Sequence, residues 1–346
     1  MAGLFMRFVY LTFFLLLFSM PVRAATDTTE GEILVTIKPL HSLVSAVAGP
    51  EQNVALLLTG NYSPHDFALR PSQMRQLQSA KVFFYVGEGL ESFLLQVLPS
   101  LPNDQLRVAV SHSPSVTLLP SRQAGIWPQQ HDDHHNSDHH DAIRNIDDHE
   151  HDDHEKTDDH DDHGHAAHDH GGVHDPHIWL DPANAALIAA DIAENLARAF
   201  PENRSRYTAN AATLQSKLAA LDTTLQARLE PVKGRPFIQF HDSVQYFEAR
   251  YGLKGLGAIN LEPDDSPSAR RIGDIQNLIA DQNVRCVFRE PQYSDRLVRI
   301  VIADSGASSA TLDPLGVPFS PGPELYFQMM TGIATAMREC LGSTAP

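Results

Sequence analysis

Ile33-Leu34-Val35-Thr36-Ile37-Lys38, followed at once by the helix-like stretch Leu40 to Ala48 and then by a second short run, Asn53 to Leu58, is the passage on which the architecture turns. Both runs are short and rich in β-branched residues, and Gly, Pro, Asn or Ser bounds them, so they read as strands with a helix between. The alternation continues outward. Strands are predicted at Lys81 to Val86 and Leu106 to Val110, with helices at Ser72 to Ala80 and Glu88 to Leu98. It stops near Leu119, resumes at His177 and returns in full with strands at Pro236 to Phe240, Leu253 to Ile259, Arg285 to Arg289 and Ser309 to Leu312. The accompanying helices are predicted at Ser243 to Tyr251, Ser268 to Asp281, Asp295 to Asp304 and Glu324 to Cys340. Strands that alternate with helices build βαβ units on a parallel sheet, so the fold class is α/β with two lobes of about four strands each.

Between the two halves the pattern is helical only. Pro182 to Phe200 reads as one helix, and Glu202 to Pro231 runs about 30 residues with no internal Pro or Gly, about 45 Å if helical throughout. Leu214, Leu218, Leu221, Leu225 and Leu229 fall on one face of it. A stripe packed along both lobes is expected. A coiled-coil dimer is the alternative, disfavoured by the short heptad run and the sparse charges at its flanks.

Charge is concentrated in one place. The 346-residue chain carries −17, and from His131 to Asp175 there are 16 acidic residues against Arg144 and Lys156, a net of −14. An acidic chain of this kind argues against nucleic acid or an anionic membrane surface as partner. The segment 131–174 also holds 14 of the 19 histidines. Its composition cannot bury a core, so it is expected to be disordered without metal. Its mixture of imidazole and carboxylate suits zinc and neighbouring metals. At the N-terminus, Arg7, the apolar run Phe8 to Phe18, Pro21 and Val22-Arg23-Ala24 read as a signal peptide cleaved after Ala24, too short in its apolar part for a membrane span. An exported chain with two cysteines, Cys286 and Cys340, is expected to join them, two buried free thiols being the alternative.

Outside the histidine-rich segment five histidines remain: His41, His65, His112, His177 and His241. His41, His65 and His241 each follow a predicted strand, as do Glu290 and Asp313. Ligands of open parallel sheets bind outside the carboxyl ends of the strands, so these side chains can face a common cleft. Three imidazoles with one carboxylate or water would complete a four-coordinate zinc shell. His112 reads as surface, and His41 is a reserve ligand.

Five motifs then occur in order: Ile37-Lys38-Pro39-Leu40; Ser63-Pro64-His65-Asp66-Phe67 with Leu69-Arg70-Pro71-Ser72; His177-Ile178-Trp179-Leu180-Asp181-Pro182; Phe240-His241-Asp242 with Tyr246-Phe247; and Glu290-Pro291-Gln292 with Leu312-Asp313-Pro314-Leu315-Gly316. Together they resemble the metal-specific solute-binding proteins of ABC importers, in particular the ZnuA-like periplasmic zinc-binding members. The resemblance implies two (β/α)4 lobes joined by one long linking helix, with metal in the cleft between them. It implies His65 and His177 as ligands from the N-terminal lobe and His241 from the C-terminal lobe, where some manganese-binding relatives carry a carboxylate. Several zinc members have Glu where this chain has Pro64, so the fourth ligand is assigned to Asp313 or water, with His41 and Glu290 as possible additions. A Cys286–Cys340 disulfide is implied too.

The expected organisation is a signal peptide at 1–24, an N-terminal lobe at 25–200 that includes the segment 131–174, a linking helix at 201–231 and a C-terminal lobe at 232–346. The expected function is capture of Zn²⁺ in the periplasm and delivery to the membrane permease subunit of an ABC importer, by a monomer without enzymatic activity. The competing readings are a carrier of manganese or another divalent metal, and a secreted zinc hydrolase with Glu290 or Asp242 as base. Against the hydrolase, no His-Glu-x-x-His pattern is present. A metal buffer acting through the loop alone would leave the cleft residues without a purpose.

Overall fold

A computed structural model describes residues 32–122, 125–127, 174–260 and 267–343. The expected signal peptide and its cleavage site, and the histidine-rich segment up to residue 173, lie outside the described residues. Among those described, no helix is long and apolar enough to cross a membrane.

The N-terminal half contains β1 (Ile33–Val35), α1 (Lys38–Ala48), β2 (Val54–Leu56), α2 (Pro71–Ser79), β3 (Val82–Tyr85) and β4 (Leu106–Ala109). Its strands form an all-parallel sheet in the order β2-β1-β3-β4, with Leu34 opposite Ala55 on one side and Phe83 on the other. The two central strands are fully buried, as apolar runs covered on both faces should be. α3 (Pro182–Ala199) and α4 (Arg204–Leu229) follow the histidine-rich segment. The second half contains β5 (Pro236–His241), α5 (Gln245–Tyr251), β6 (Lys254–Asn260), α6 (Ala269–Asp281), β7 (Cys286–Arg289), α7 (Arg296–Ile302), β8 (Ser308–Thr311) and α8 (Leu325–Gly342). Its sheet is also all parallel, in the order β6-β5-β7-β8. The expected α/β class with two four-stranded parallel lobes is the observed one.

Two local expectations are corrected. Glu88 to Leu98 is not a helix but two 3₁₀ turns, Ser92–Leu94 and Leu98–Ser100. The Glu91 carboxylate is buried and accepts hydrogen bonds from Thr36 Oγ1 and from the amides of Val86 and Gly87, which folds the chain back on the strand end before a helix can propagate. Pro99 removes a donor farther on. The linking helix is 26 residues rather than about 30, roughly 39 Å, because 3₁₀ turns flank it at Pro201–Asn203 and Glu230–Val232.

α4 buries Tyr207, Ala211 and all five leucines of its stripe against the rest of the chain. The same apolar cluster takes in β1 and β3, α3, Phe237 and Phe288 of the second sheet, and Met329, Met330 and Ile333 of α8. The stripe is therefore consumed within the chain, which answers the coiled-coil alternative. A smaller core lies on the far face of the second sheet, where Ile238, Phe240, Leu256 and Val287 meet Ile275 and Ile279 of α6 and Val298 and Val301 of α7. Neighbours Phe237 and Ile238 point into different cores, the period of two expected of a strand. Cys286, at the start of β7, is bonded to Cys340 on α8, with Cα atoms 6.0 Å apart.

Candidate metal centre

Parallel pairing brings the carboxyl ends of β1 to β4 to one edge and those of β5 to β8 to another, and three histidines meet between these edges. His65 lies in the loop after β2, His177 precedes the 3₁₀ turn Ile178–Leu180 that leads into α3, and His241 is the last residue of β5. Asp181 starts α3 by accepting the Ala183 amide, and Pro182 fits the first helical turn, which fixes where His177 stands. His65 Nε2 lies 3.3 Å from His177 Nε2, and His241 Nε2 lies 3.4 Å from the same atom. One nitrogen from each of the three lies within 4.8 Å of the others.

The opposite nitrogens determine what these Nε2 atoms can do. Asp175 Oδ1 lies 2.8 Å from His177 Nδ1 and also accepts the His177 amide at 2.9 Å. Glu290 Oε1 lies 2.6 Å from His241 Nδ1 and accepts the Ser243 hydroxyl at 3.2 Å. A carboxylate only accepts, so His177 carries its proton on Nδ1 and turns its Nε2 lone pair toward the other histidines, while at His241 the nearby Glu290 charge favours the same tautomer without an aligned hydrogen bond. Lone pairs a little over 3 Å apart repel unless a cation joins them. Tetrahedral zinc with Zn–N distances of about 2.0–2.1 Å would set its nitrogens about 3.3 Å apart, which matches both distances to His177 Nε2.

The protonation preferences of two of the three differ in sign. Burial pushes His65 well below the ordinary imidazole range, and the two neighbouring imidazoles add to the shift. Burial also opposes charge on His241, but the Glu290 carboxylate, with Asp242 and Asp175, outweighs it and raises the value. The pocket is small, about 10 Å³, room for one ion or water, and its other walls include Trp179, Gln292, Tyr293, Pro314 and Leu315. Trp179 is fixed by its indole N–H bond to Pro314 O at 2.9 Å, a contact that ties α3's leader to the β8–α8 loop.

The remaining candidates stand elsewhere. Asp313 is not with the histidines: its Oδ1 accepts the amides of Leu315 and Gly316 and its Oδ2 that of Val317, so it caps its own turn. Lys38 braces the same turn through Val317 O at 2.7 Å and Phe319 O at 3.1 Å. His41 is buried on α1, where its Nε2 donates to Val54 O at 2.9 Å, which makes it a brace for β2 and not a member of the cluster. Glu290 reaches the site through His241, and His112 is exposed beside Glu88. Asp242, weighed as a base, is held by Arg122 and Gln239. The sequence reading missed Asp175, counted only as one acid among the 16 of the charged segment, and Ser243, although Phe240-His241-Asp242 stops one residue short of it. Tyr246, part of that motif, locks Asp175 by donating to its carbonyl at 2.9 Å while accepting the Leu119 amide.

Residues 33–340 match the family described as zinc-uptake complex component A, periplasmic, or ZnuA. The high-affinity zinc uptake system protein ZnuA of Brucella abortus is 40% identical over 312 residues, covering 90% of this chain and 92% of that protein. The protein of the same description from Paracoccus denitrificans is 37% identical over 326 residues, covering 94% and 95%. Among solved structures, a zinc-bound ZnuA deletion mutant aligns with a TM-score of 0.68 at 25% identity, over 91% of this chain and 98% of that one. With its two parallel lobes and a match that spans nearly all of the described residues, the chain belongs to the ZnuA family of periplasmic zinc-uptake components.

Proposed function

We propose that this protein captures Zn²⁺ with high affinity in the periplasm and delivers it to the membrane permease subunit of an ABC importer, and that His65, His177 and His241 hold the ion. The observation that carries the ligand assignment is the 3.3 and 3.4 Å distances from His177 Nε2 to the Nε2 atoms of His65 and His241, with the Asp175 carboxylate orienting His177 and that of Glu290 beside His241 Nδ1. The ion is cargo, so affinity and release are the functional quantities. Imidazole nitrogens favour zinc over harder cations such as manganese, and among the described residues no carboxylate joins the cluster. The fourth position is then left to water. Hydrolysis is not part of this reading, because Glu290 and Asp242, the two carboxylates that could serve as base, are engaged by His241 and Ser243 and by Arg122.

The organisation that goes with this function is a signal peptide removed after Ala24, an N-terminal lobe over 25–200, a linking segment over 201–231 built on the helix Arg204–Leu229, and a C-terminal lobe over 232–346, working as a monomer. The segment 131–174 binds further metal. The test is competition against a zinc chelator in a background lacking His131 to His170. His65→Ala, His177→Ala and His241→Ala should each cost more than the roughly 10- to 100-fold typical of an outer partner, whereas His112→Ala should cost nothing. Equal affinity in all four variants sinks the assignment.

A further inference from the structure

Gln292 lies two residues beyond Glu290 and lines the same pocket as His65, His177 and His241. Its side-chain nitrogen and oxygen are both shielded from solvent, and neither has a hydrogen-bond partner in the protein. Buried amides of this kind are almost always paired, with protein or with an ordered ligand, because leaving one unpaired costs free energy comparable to a lost hydrogen bond. Its neighbours along the chain are already committed. Glu290 faces His241 and Ser243, the Pro291 carbonyl accepts Asn61 Nδ2 at 2.7 Å, and Tyr293 stacks on Phe240 with ring centroids 4.9 Å apart. The short turn after β7 is thus clamped from both lobes, and the amide is held in the pocket wall without an internal partner.

The three imidazoles leave one position of a tetrahedral ion open, and Gln292 lines the same pocket as they do. Asp313 is turned away by three backbone amides. A water bound to a divalent cation is a strong hydrogen-bond donor and needs an acceptor. Building on the three-histidine site proposed above, we infer that Gln292 is a positioning residue for the bound ion, its side-chain amide hydrogen-bonding the water that completes the shell. The amide is neutral, so it orients the water without adding a charge that would have to be left behind when the ion departs. Its role is to slow exchange of that water and so set how readily the cargo is released.

The test uses the full-length protein, loaded with one equivalent of zinc or cobalt. Gln292→Met keeps nearly the length and volume of the side chain and removes both polar atoms, while Gln292→Glu restores the acceptor. Gln292→Met should weaken zinc by about 10-fold and speed its dissociation, the low end of the effect of losing an outer partner, and Gln292→Glu should recover most of that loss. Cobalt spectra should change in intensity in the Met variant, while X-ray absorption of the zinc form keeps its full set of light-atom neighbours at about 2.0–2.1 Å. In the unaltered protein, the Gln292 side-chain amide resonances should shift on zinc loading, a readout that needs no variant to fold. Unchanged affinity and cobalt spectrum in Gln292→Met would falsify the inference, and loss of one light-atom neighbour would overturn it in favour of direct ligation by the amide oxygen. Unchanged tight binding in His65→Ala, His177→Ala and His241→Ala in the background lacking His131 to His170 would instead strike the three-histidine site itself.

Discussion

His241 stands between opposing influences, burial disfavouring its charge and Glu290, 2.6 Å from its Nδ1, favouring it. The balance lies above the ordinary value of about 6.5, so a proton competes with metal for His241 before it competes for a free imidazole. His65, shifted the other way, keeps a bare nitrogen to lower pH. Zinc affinity should therefore begin to fall already as pH drops through neutrality. Glu290→Gln removes the main raising influence. The variant should bind zinc about 10- to 100-fold more weakly at pH 8, yet its loss of affinity on acidification should set in at lower pH. Chelator competition across pH 5.5–8 checks this at buffer steps of about half a unit, and parallel curves for wild type and variant would refute the coupling. Asp313→Ala makes the opposite kind of prediction. Because its oxygens hold the amides of Leu315, Gly316 and Val317, the change should cost about 1–3 kcal/mol of stability in urea unfolding while leaving the zinc coordination distances unaltered. Those contacts also show what a sequence can and cannot reveal. That His65, His241, Glu290 and Asp313 follow strands was legible from the order of elements alone. Which of them turn inward was not, because Asp313 is claimed by amides of its own turn and His41 by Val54 O, contacts that depend on backbone path.

At the scale of elements, the least legible feature is the short piece of chain that enters the histidine-rich segment. Ile126 forms an antiparallel bridge to Gly257, the Trp127 amide donates to Leu256 O and the Ala258 amide to Gly125 O, so residues 125–127 extend the second sheet beyond β6. Arg122 secures the approach: its guanidinium lies 3.4 Å over the Trp127 ring and pairs with Asp242 and Glu248, beside the end of β5 that carries His241. The other root of the segment bridges Pro120 at His174, and the next residue, Asp175, orients His177. Three residues are too few for any periodicity, and an edge strand supplied from a distant part of the chain leaves no local signature. The four-stranded lobes were legible because a strand followed by a helix is a local pattern, and it recurs after six of the eight strands. Gly257 is where this clasp can be tested. A Cβ there would lie 2.3 Å from Gly125 O, on backbone that cannot rotate away. Gly257→Ala should push residues 125–127 off the sheet and cost about 1–3 kcal/mol in thermal or urea unfolding, with greater proteolysis near Arg122. Unchanged stability and cleavage would show that the bridge contributes little.

Across the whole molecule, α4 and the larger core hold the two sheets in one relation, and the site sits where their strand ends meet. The Cys286–Cys340 bond ties β7, which delivers Glu290, to α8, which packs in that same core. Rigidity of this kind means that the three histidines are placed before the ion arrives, so little ordering has to be charged against binding. The segment 131–174 differs in composition: 14 imidazoles and 16 acids between His131 and Asp175, with hardly an apolar residue to pack. A sequence of that composition has little apolar surface to offset the ordering of a metal shell, at about 1–2 kcal/mol for each residue fixed, and many alternative shells compete. Its sites should be several and weak where the preorganised site is single and tight. Deleting His131 to His170 removes none of His65, His177, His241, Asp175 or Glu290, and it spares both roots, Pro120 to Trp127 and His174. Titration calorimetry at neutral pH should then show one tight zinc event followed by weaker ones in the full-length protein, and the tight event alone in the deletion variant. Below about pH 6 the weak events should fade first, because protons compete with metal for imidazole nitrogen, whose reference value is about 6.5, and loosely held metal yields to that competition soonest. A deletion variant that folds and has lost the tight event would move the primary site into the segment. A full-length protein that takes up a single zinc even in large excess would leave those 14 imidazoles with no part in metal binding.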